Sequence, residues 1–272
     1  MELIIRPKNK WWQFNWKELW FFRDLFYFLT WRDVKVKYKQ TAIGVLWAIF
    51  QPFITMVVFT IFFGKLAQMP SDGIPYPIFV YTGLLFWTLF NTGLSSASSS
   101  FVSNERIITK IYFPRIILPI SSIITSLVDF LIASIILAGM MIYYSYSPSL
   151  VGLLLIPLLV LITIFSTIGI GLLFASINVK YRDVRFVLPF FIQTLLFITP
   201  VIYPASIAPE RFRWILGLNP MSGVIDSARA GILGTRDIDW LLLGVSVISM
   251  VFYCVVGYFY FKKTERYFAD VI

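Results

Sequence analysis

Six stretches of this chain are predominantly apolar over a length that can cross a lipid bilayer. They are Ile43–Gly64, Ile78–Phe101, Ile116–Tyr143, Leu150–Ile177, Phe186–Tyr203 and Trp240–Phe261. A helix rises about 1.5 Å per residue, so about 20 apolar residues span a hydrocarbon core of ~30 Å. A soluble helix needs only one apolar stripe. The pattern therefore predicts an all-α integral membrane protein with six transmembrane helices. Residues 1–42 form an N-terminal region ahead of one membrane domain, residues 43–272.

The segments between the runs carry their own signals. Residues 15–30 read as a helix start, with Asn15 as N-cap, Glu18 placed to bond back to it, and Phe14 stapling onto Leu19. The run Trp16–Trp31 holds Lys17, Glu18, Arg23 and Asp24 among its aromatics, so it should not span. Trp and Tyr favour the headgroup level, which predicts an interfacial helix on the cytoplasmic leaflet or packed against the bundle. A second start is expected at Thr30, with Asp33 three residues on. Residues 204–239 are too long for a turn and contain two short apolar stretches, Ile207–Leu218 and Met221–Leu233, parted by Asn219–Pro220. Asn as cap and Pro at the first helical position predict two short re-entrant helices before the last span. Pro52, Pro157, Pro189 and Pro200 mark kinks or breaks.

Basic residues orient the chain. Nine Lys and Arg precede the first run, and three lie in each of the second-to-third connection, the fourth-to-fifth connection and the tail. Only Lys65, Arg211, Arg213, Arg229 and Arg236 fall on the alternate side. The positive-inside rule places both termini in the cytoplasm. The net charge of +9 is accounted for by this surface, which faces anionic lipid, so nucleic acid is not needed to explain it. No cleavable signal peptide is expected, because Trp11, Trp12, Trp16 and Trp20 lie among charges with no short apolar core ahead of them.

Composition closes off chemistries. Charged residues make up 14% of the chain, against about 25% in soluble domains. With no histidine, Ser–His–Asp and Cys–His catalysis, His-ligated zinc and His proton relays are excluded. The one cysteine, Cys254, allows neither an internal disulfide nor a multi-cysteine metal site. No catalytic or metal residues are expected. No GxxxxGK[ST] loop is present, so any ATP and Mg would belong to another subunit.

Asp129 is the sole ionisable residue deep in a run. A charge there costs about 2.5–3.5 kcal/mol on insertion scales, so it faces protein or water. Two readings stay open: a pathway or gating residue, or a hydrogen-bonded structural carboxyl; the sequence identifies no partner base. Ser95, Ser96, Ser98, Ser99 and Ser100, like Ser166, Thr167, Gly169 and Gly171, suit close helix packing or a hydrophilic passage lining. Arg211, Arg213 and Arg229, in the expected re-entrant pair, are candidates for an outer rim or gate. The connections Asn104–Arg115, with Glu105, Arg106 and Lys110, and Asn178–Val184, with Tyr181, Arg182 and Asp183, are short enough to dock an energising partner.

At these residues the chain resembles the membrane subunits of type-2 ABC exporters, in the polysaccharide-export branch that moves O-antigen, teichoic acid and related glycans. The matching stretches are Trp31–Lys39, Gly44–Pro52, Asn104–Pro119, Asn178–Val184, Thr199–Pro204 and Leu218–Met221 with Arg229. They cover nearly the whole chain in order. The resemblance implies a bacterial inner-membrane permease working as a homodimer with two separate ATPase subunits. Asn104, Glu105, Arg106, Lys110, Tyr181, Arg182 and Asp183 would lie at the ATPase. The cargo would be a polysaccharide on a polyprenyl-diphosphate lipid. An exporter of other lipids or small amphiphiles, a passive channel without an ATPase, and an intramembrane enzyme are the competing readings; the absence of histidine and the single deep acid weigh against the last.

Overall fold

A computed structural model describes residues 16–39, 44–181, 183–234, 237–265 and 268, and among these the regular structure is helical with no strand. Two N-terminal helices, α1 (Trp16–Phe21) and α2 (Arg23–Lys39), precede α3 (Gly44–Phe59), which loosens into a π-helical turn over Thr60–Leu66. Then come α4 (Tyr76–Ser103), the single-turn α5 (Glu105–Ile108), α6 (Ile117–Tyr143), α7 (Leu150–Lys180) and α8 (Val184–Ile198). The short α9 (Glu210–Leu216) and α10 (Pro220–Leu233) lead to α11 (Trp240–Thr264).

Among the described residues, five helices have the length and apolar composition to cross a membrane: Leu46–Leu66 (α3 with its π turn), α4, α6, α7 and α11. The fifth predicted run, Phe186–Tyr203, gives only the 15-residue α8, about 22 Å at the usual rise, and is shorter than expected. Its last five residues leave the helix because Thr199 stands before Pro200 and takes an extended conformation. The second start at Thr30 is also corrected: α2 runs straight through it, and the Thr30 hydroxyl donates to Phe26 O at 2.9 Å instead of capping. The interruption falls earlier, at Phe22. The expected Asn15 cap and Phe14 staple lie outside the described residues.

Helix α4 is the hub, packed on α6, α7 and α10. Of its most apolar 18-residue stretch, 78% is buried inside the chain, against 11% for α3, so α3 presents most of its circumference outward. Capping follows the sequence. Ser149 accepts from Gly152 N (2.9 Å) to open α7, and Asp239 accepts from Leu242 N (3.0 Å) to open α11. Asn219 accepts from Met221 N (3.1 Å) at the start of α10, as the Asn–Pro pair predicts. Helices α7 and α11 touch backbone to backbone at Gly169 and Gly257, where any side chain would strike the opposing main chain. Small residues at a helix crossing serve close approach, the packing reading given above.

Candidate functional site

Three regions carry the candidate residues. At the end of the bundle holding residues 104–116 and 178–184, α5 stands beyond α4. Glu105, Arg106 and Lys110 are exposed, as are Tyr181 and Asp183 in the other connection; Arg182 lies outside the described residues. One apolar cluster seats both connections: Ile108, Phe113 and Val179 share it with Leu29 of α2, Phe101 and Phe261. Polar groups thus face outward on a rigid base, the arrangement a docking surface needs.

Asn104, between α4 and α5, is turned inward instead. Its Nδ2 donates to Ser100 O (2.8 Å) and its Oδ1 accepts from Arg32 Nη2 (2.9 Å). Arg32 also donates through Nε and Nη2 to Asp33 Oδ1 (2.9 and 2.8 Å). One turn and a half further along α2, Lys37 Nζ and the Tyr38 hydroxyl both donate to the carboxylate of Asp129. Asp129 is 7% exposed and sits mid-way along α6. Burial, and then the hydrogen bond to Asp129, push the Tyr38 hydroxyl well above its ordinary pKa, so it remains a neutral donor.

Sequence reasoning missed Lys37 and Tyr38 as partners of Asp129 because they lie 92 and 91 residues away in the chain. The available signal was the charge of Arg32–Lys39 immediately ahead of the first run. Its proximity to the membrane was legible; its target was not. Helix α2 therefore packs on α6 and reaches into the bundle at one end, with Leu29 buried. Tyr27, Phe28 and Trp31 remain exposed along its outer side, as do Trp20 and Phe21 of α1. An aromatic outer side suits the bilayer interface.

Between α2, α4 and α6 lies a polar cavity of about 470 Å³. Arg32, Asp33 and Lys37 wall one side, and Ser96, Ser99, Ser103, Ser122 and Thr125 the other. In the serine run, Ala97 and Ser98 are buried in helix contacts, while Ser96, Ser99, Ser100 and Ser103 border this cavity.

At the opposite end of the bundle the three arginines separate. Arg211 is exposed on α9, its guanidinium 4.6 Å from the Phe212 ring centre. Arg213 ties α9 to the start of α11 through Asp239 (3.6 Å). Arg229 is 1% exposed, inside α10, whose residues are all buried. Its guanidinium donates to Phe79 O (3.0 Å), Pro200 O (2.6 Å) and Val201 O (2.6 Å), and lies 3.6 Å from the Phe79 ring centre. The Pro200 and Val201 carbonyls belong to the segment released where α8 ends, so Arg229 supplies the donors that a continued helix would have supplied there, while Phe79 O ties it to α4. Gly83 leaves the room: a Cβ there would stand 2.6 Å from Arg229 Nη2. Arg229 thus lies within the protein rather than on a rim.

The arrangement is a bundle of apolar helices, with an open, hydroxyl-bearing cavity between α2, α4 and α6 and exposed charged connections at one end. The family described as ABC-2 type transporter matches residues 24–233, more than half of the chain. The chain belongs to the ABC-2 type transporter family. Among its relatives, an O-antigen export system permease protein RfbA of Klebsiella pneumoniae is 28% identical over 252 residues, 92% of this chain and 95% of that protein. The Myxococcus xanthus protein of the same name is 29% identical over 255 residues, 92% and 96% of the two chains. The polysialic acid transport protein KpsM of Escherichia coli is 23% identical over 236 residues, 84% and 87%. These relatives bear out the resemblance to the polysaccharide-export branch. The ABC-2 match begins at Asp24, so it takes in nearly all of α2 with its contacts to Asn104 and Asp129. With five spanning-length helices, this ABC-2 chain is a multi-pass membrane protein.

Proposed function

We propose that this chain is the membrane-spanning permease of an ATP-driven exporter. It moves a polysaccharide carried on a polyprenyl-diphosphate lipid out of the bacterial cytoplasm across the inner membrane. The observation that carries this reading is end-to-end similarity to polysaccharide-export permeases in a chain with an open, hydroxyl-bearing cavity between apolar helices. Two copies pair with two ATPase subunits, which bind ATP and Mg; the permease itself holds no cofactor. Both termini face the cytoplasm, as the basic residues indicate. Six crossings are completed by α8 together with the segment 199–203, and α9 and α10 form the re-entrant pair at the exit. There Arg211 and Arg213 face the outlet, while Arg229 and Asp129 hold the elements that move.

The exposed side chains of α5 and of the loop before α8 receive the ATPase. Replacing Glu105, Arg106 and Arg182 together with alanine is expected to lower export at least tenfold while the protein still reaches the membrane in normal amount. Polysaccharide at the cell surface and protein in isolated membranes are the two readouts; wild-type export would remove the docking assignment. The whole reading is tested by purifying the chain from its own cells. A nucleotide-binding protein should accompany it, and the ATPase activity of the pair should rise with lipid-linked glycan. A chain that purifies alone and passes glycan without ATP would be a passive channel.

A further inference from the structure

Asn104 stands where two helices part, and its contacts reach three elements. Its main-chain carbonyl accepts from Ile107 N (3.0 Å) and Ile108 N (3.1 Å) and so opens α5, while its side-chain amide donates to Ser100 O of α4 (2.8 Å). The amide oxygen accepts from Arg32 of α2 (2.9 Å). A shift of α5 therefore displaces the acceptor that Arg32 holds. On the other side of that bond the guanidinium is fixed by its own helix, donating through Nε and Nη2 to Asp33 Oδ1 (2.9 and 2.8 Å). A planar fork already oriented by a neighbour loses little freedom in making a further bond, so the link is stiff.

The N-terminal helices extend that link in both directions. Phe22 N donates to Glu18 O (3.2 Å) and Phe26 N to Phe22 O (3.1 Å), which carries main-chain bonding across the interruption between α1 and α2. At the α1 end, Glu18 accepts from the Tyr112 hydroxyl (3.2 Å), a second bond to the 104–116 connection. It lies about 20 Å along the helix axis from Arg32. Leu19, Phe22, Phe26 and Leu29 share one apolar cluster with Ile108 and Phe113 of that connection. At the other end Lys37 and Tyr38 close on the carboxylate of Asp129, midway along α6. Coupling between distant sites runs through packed side chains, hydrogen bonds and rigid helices. All three join α5 to the middle of α6 here.

We propose that α1 and α2 form a strut that carries movement of the ATPase-docking connection to α6, with Asn104 and Arg32 as the positioning pair that drives it. Asn104 then does not touch the ATPase. It follows the position of α5, whose exposed Glu105 and Arg106 make the outward contact. The assignment rests on the export reading above and adds the route by which ATP hydrolysis reaches the membrane helices. An anchor that served the fold alone would make the same bonds, but its loss would not change how much glycan moves per ATP.

The test uses the chain together with the ATPase that co-purifies with it, in sealed proteoliposomes, with lipid-linked glycan extracted from the same cells as the probe. Glycan moved per ATP hydrolysed is the readout, because loss of folded complex lowers both rates together and leaves their ratio alone. Asn104→Leu and Arg32→Met are each expected to lower the ratio at least fivefold. Asn104→Asp keeps an acceptor for Arg32 while giving up the amide bond to Ser100 O, and should retain at least half of the wild-type ratio. Because the links act in series, Lys37→Met with Tyr38→Phe should reproduce the fall, and adding Asn104→Leu to that pair should lower the ratio no further. An unchanged ratio in Asn104→Leu and Arg32→Met would overturn the proposal, whatever became of the two rates. So would equal losses in Asn104→Leu and Asn104→Asp, or losses at the two ends that multiply when combined. A wild-type chain that co-purifies with no ATPase would overturn the export reading itself, and the strut with it, before any variant is made.

Discussion

Arg229→Met is expected to destabilise the protein by about 4 kcal/mol, because methionine fills similar space but offers no donor to the buried carbonyls the guanidinium now satisfies. Phe79 O, Pro200 O and Val201 O accept from Arg229 at 3.0, 2.6 and 2.6 Å, and the side chain is fully enclosed. Two of the three carbonyls lie where α8 has stopped, so no helical N–H can replace the lost donor. A lower unfolding temperature of the detergent-purified protein, with faster proteolysis near residues 199–203, is the signature. Arg229→Lys should recover only part of the loss, since one ammonium cannot meet carbonyls that a planar fork reaches together. Gly83→Leu should reproduce the defect with the arginine intact, because its side chain would occupy the space of Nη2. Wild-type stability in Arg229→Met would show that the carbonyls find other partners.

Removing the carboxylate of Asp129 is expected to lower export roughly tenfold, an effect equivalent to ~1.4 kcal/mol. Asp129→Leu deletes the acceptor shared by Lys37 and Tyr38 and so frees the end of α2 from α6. Asp129→Asn keeps an acceptor for the Tyr38 hydroxyl and removes only the charge. Normal transport in Asp129→Asn with loss in Asp129→Leu would make the residue a hydrogen-bonded anchor; loss in both would make the charge itself essential. The contribution of the ion pair is isolated by a double-mutant cycle with Lys37→Met. A coupling of about 1 kcal/mol is expected, modest because the Lys37 side chain stays 44% exposed to screening. Additive effects of the two substitutions on thermal stability would show that the pair does not hold α2 in place.

The contrast between these two sites explains what could be read in advance. Asp129 was conspicuous in the sequence because an acid inside an apolar run is costly wherever it sits. Its partners were invisible, since a contact across 92 residues leaves no local pattern. Arg229 was noticed as a charge in an apolar stretch and placed at a gate. Its actual surroundings depend on α8 ending at Ile198, and that in turn on Pro200 restricting Thr199. The proline was legible; the arginine that repairs the break was not.

Five of the spans and the two short helices at 210–233 follow from local chemistry. Apolar length and the Asn219–Pro220 pair act within a few residues of themselves, so a linear reading captures them. The uneven distribution of Lys and Arg likewise needs only the sequence. Tertiary structure alone decided that α4 is enclosed and α3 is not, that α2 walls an open cavity beside the serines, and which side chains line it. Those outcomes depend on which faces of different helices meet. In a chain whose helices are apolar nearly all round, hydrophobic pattern carries almost no information about facing, and small residues and buried polar pairs decide it.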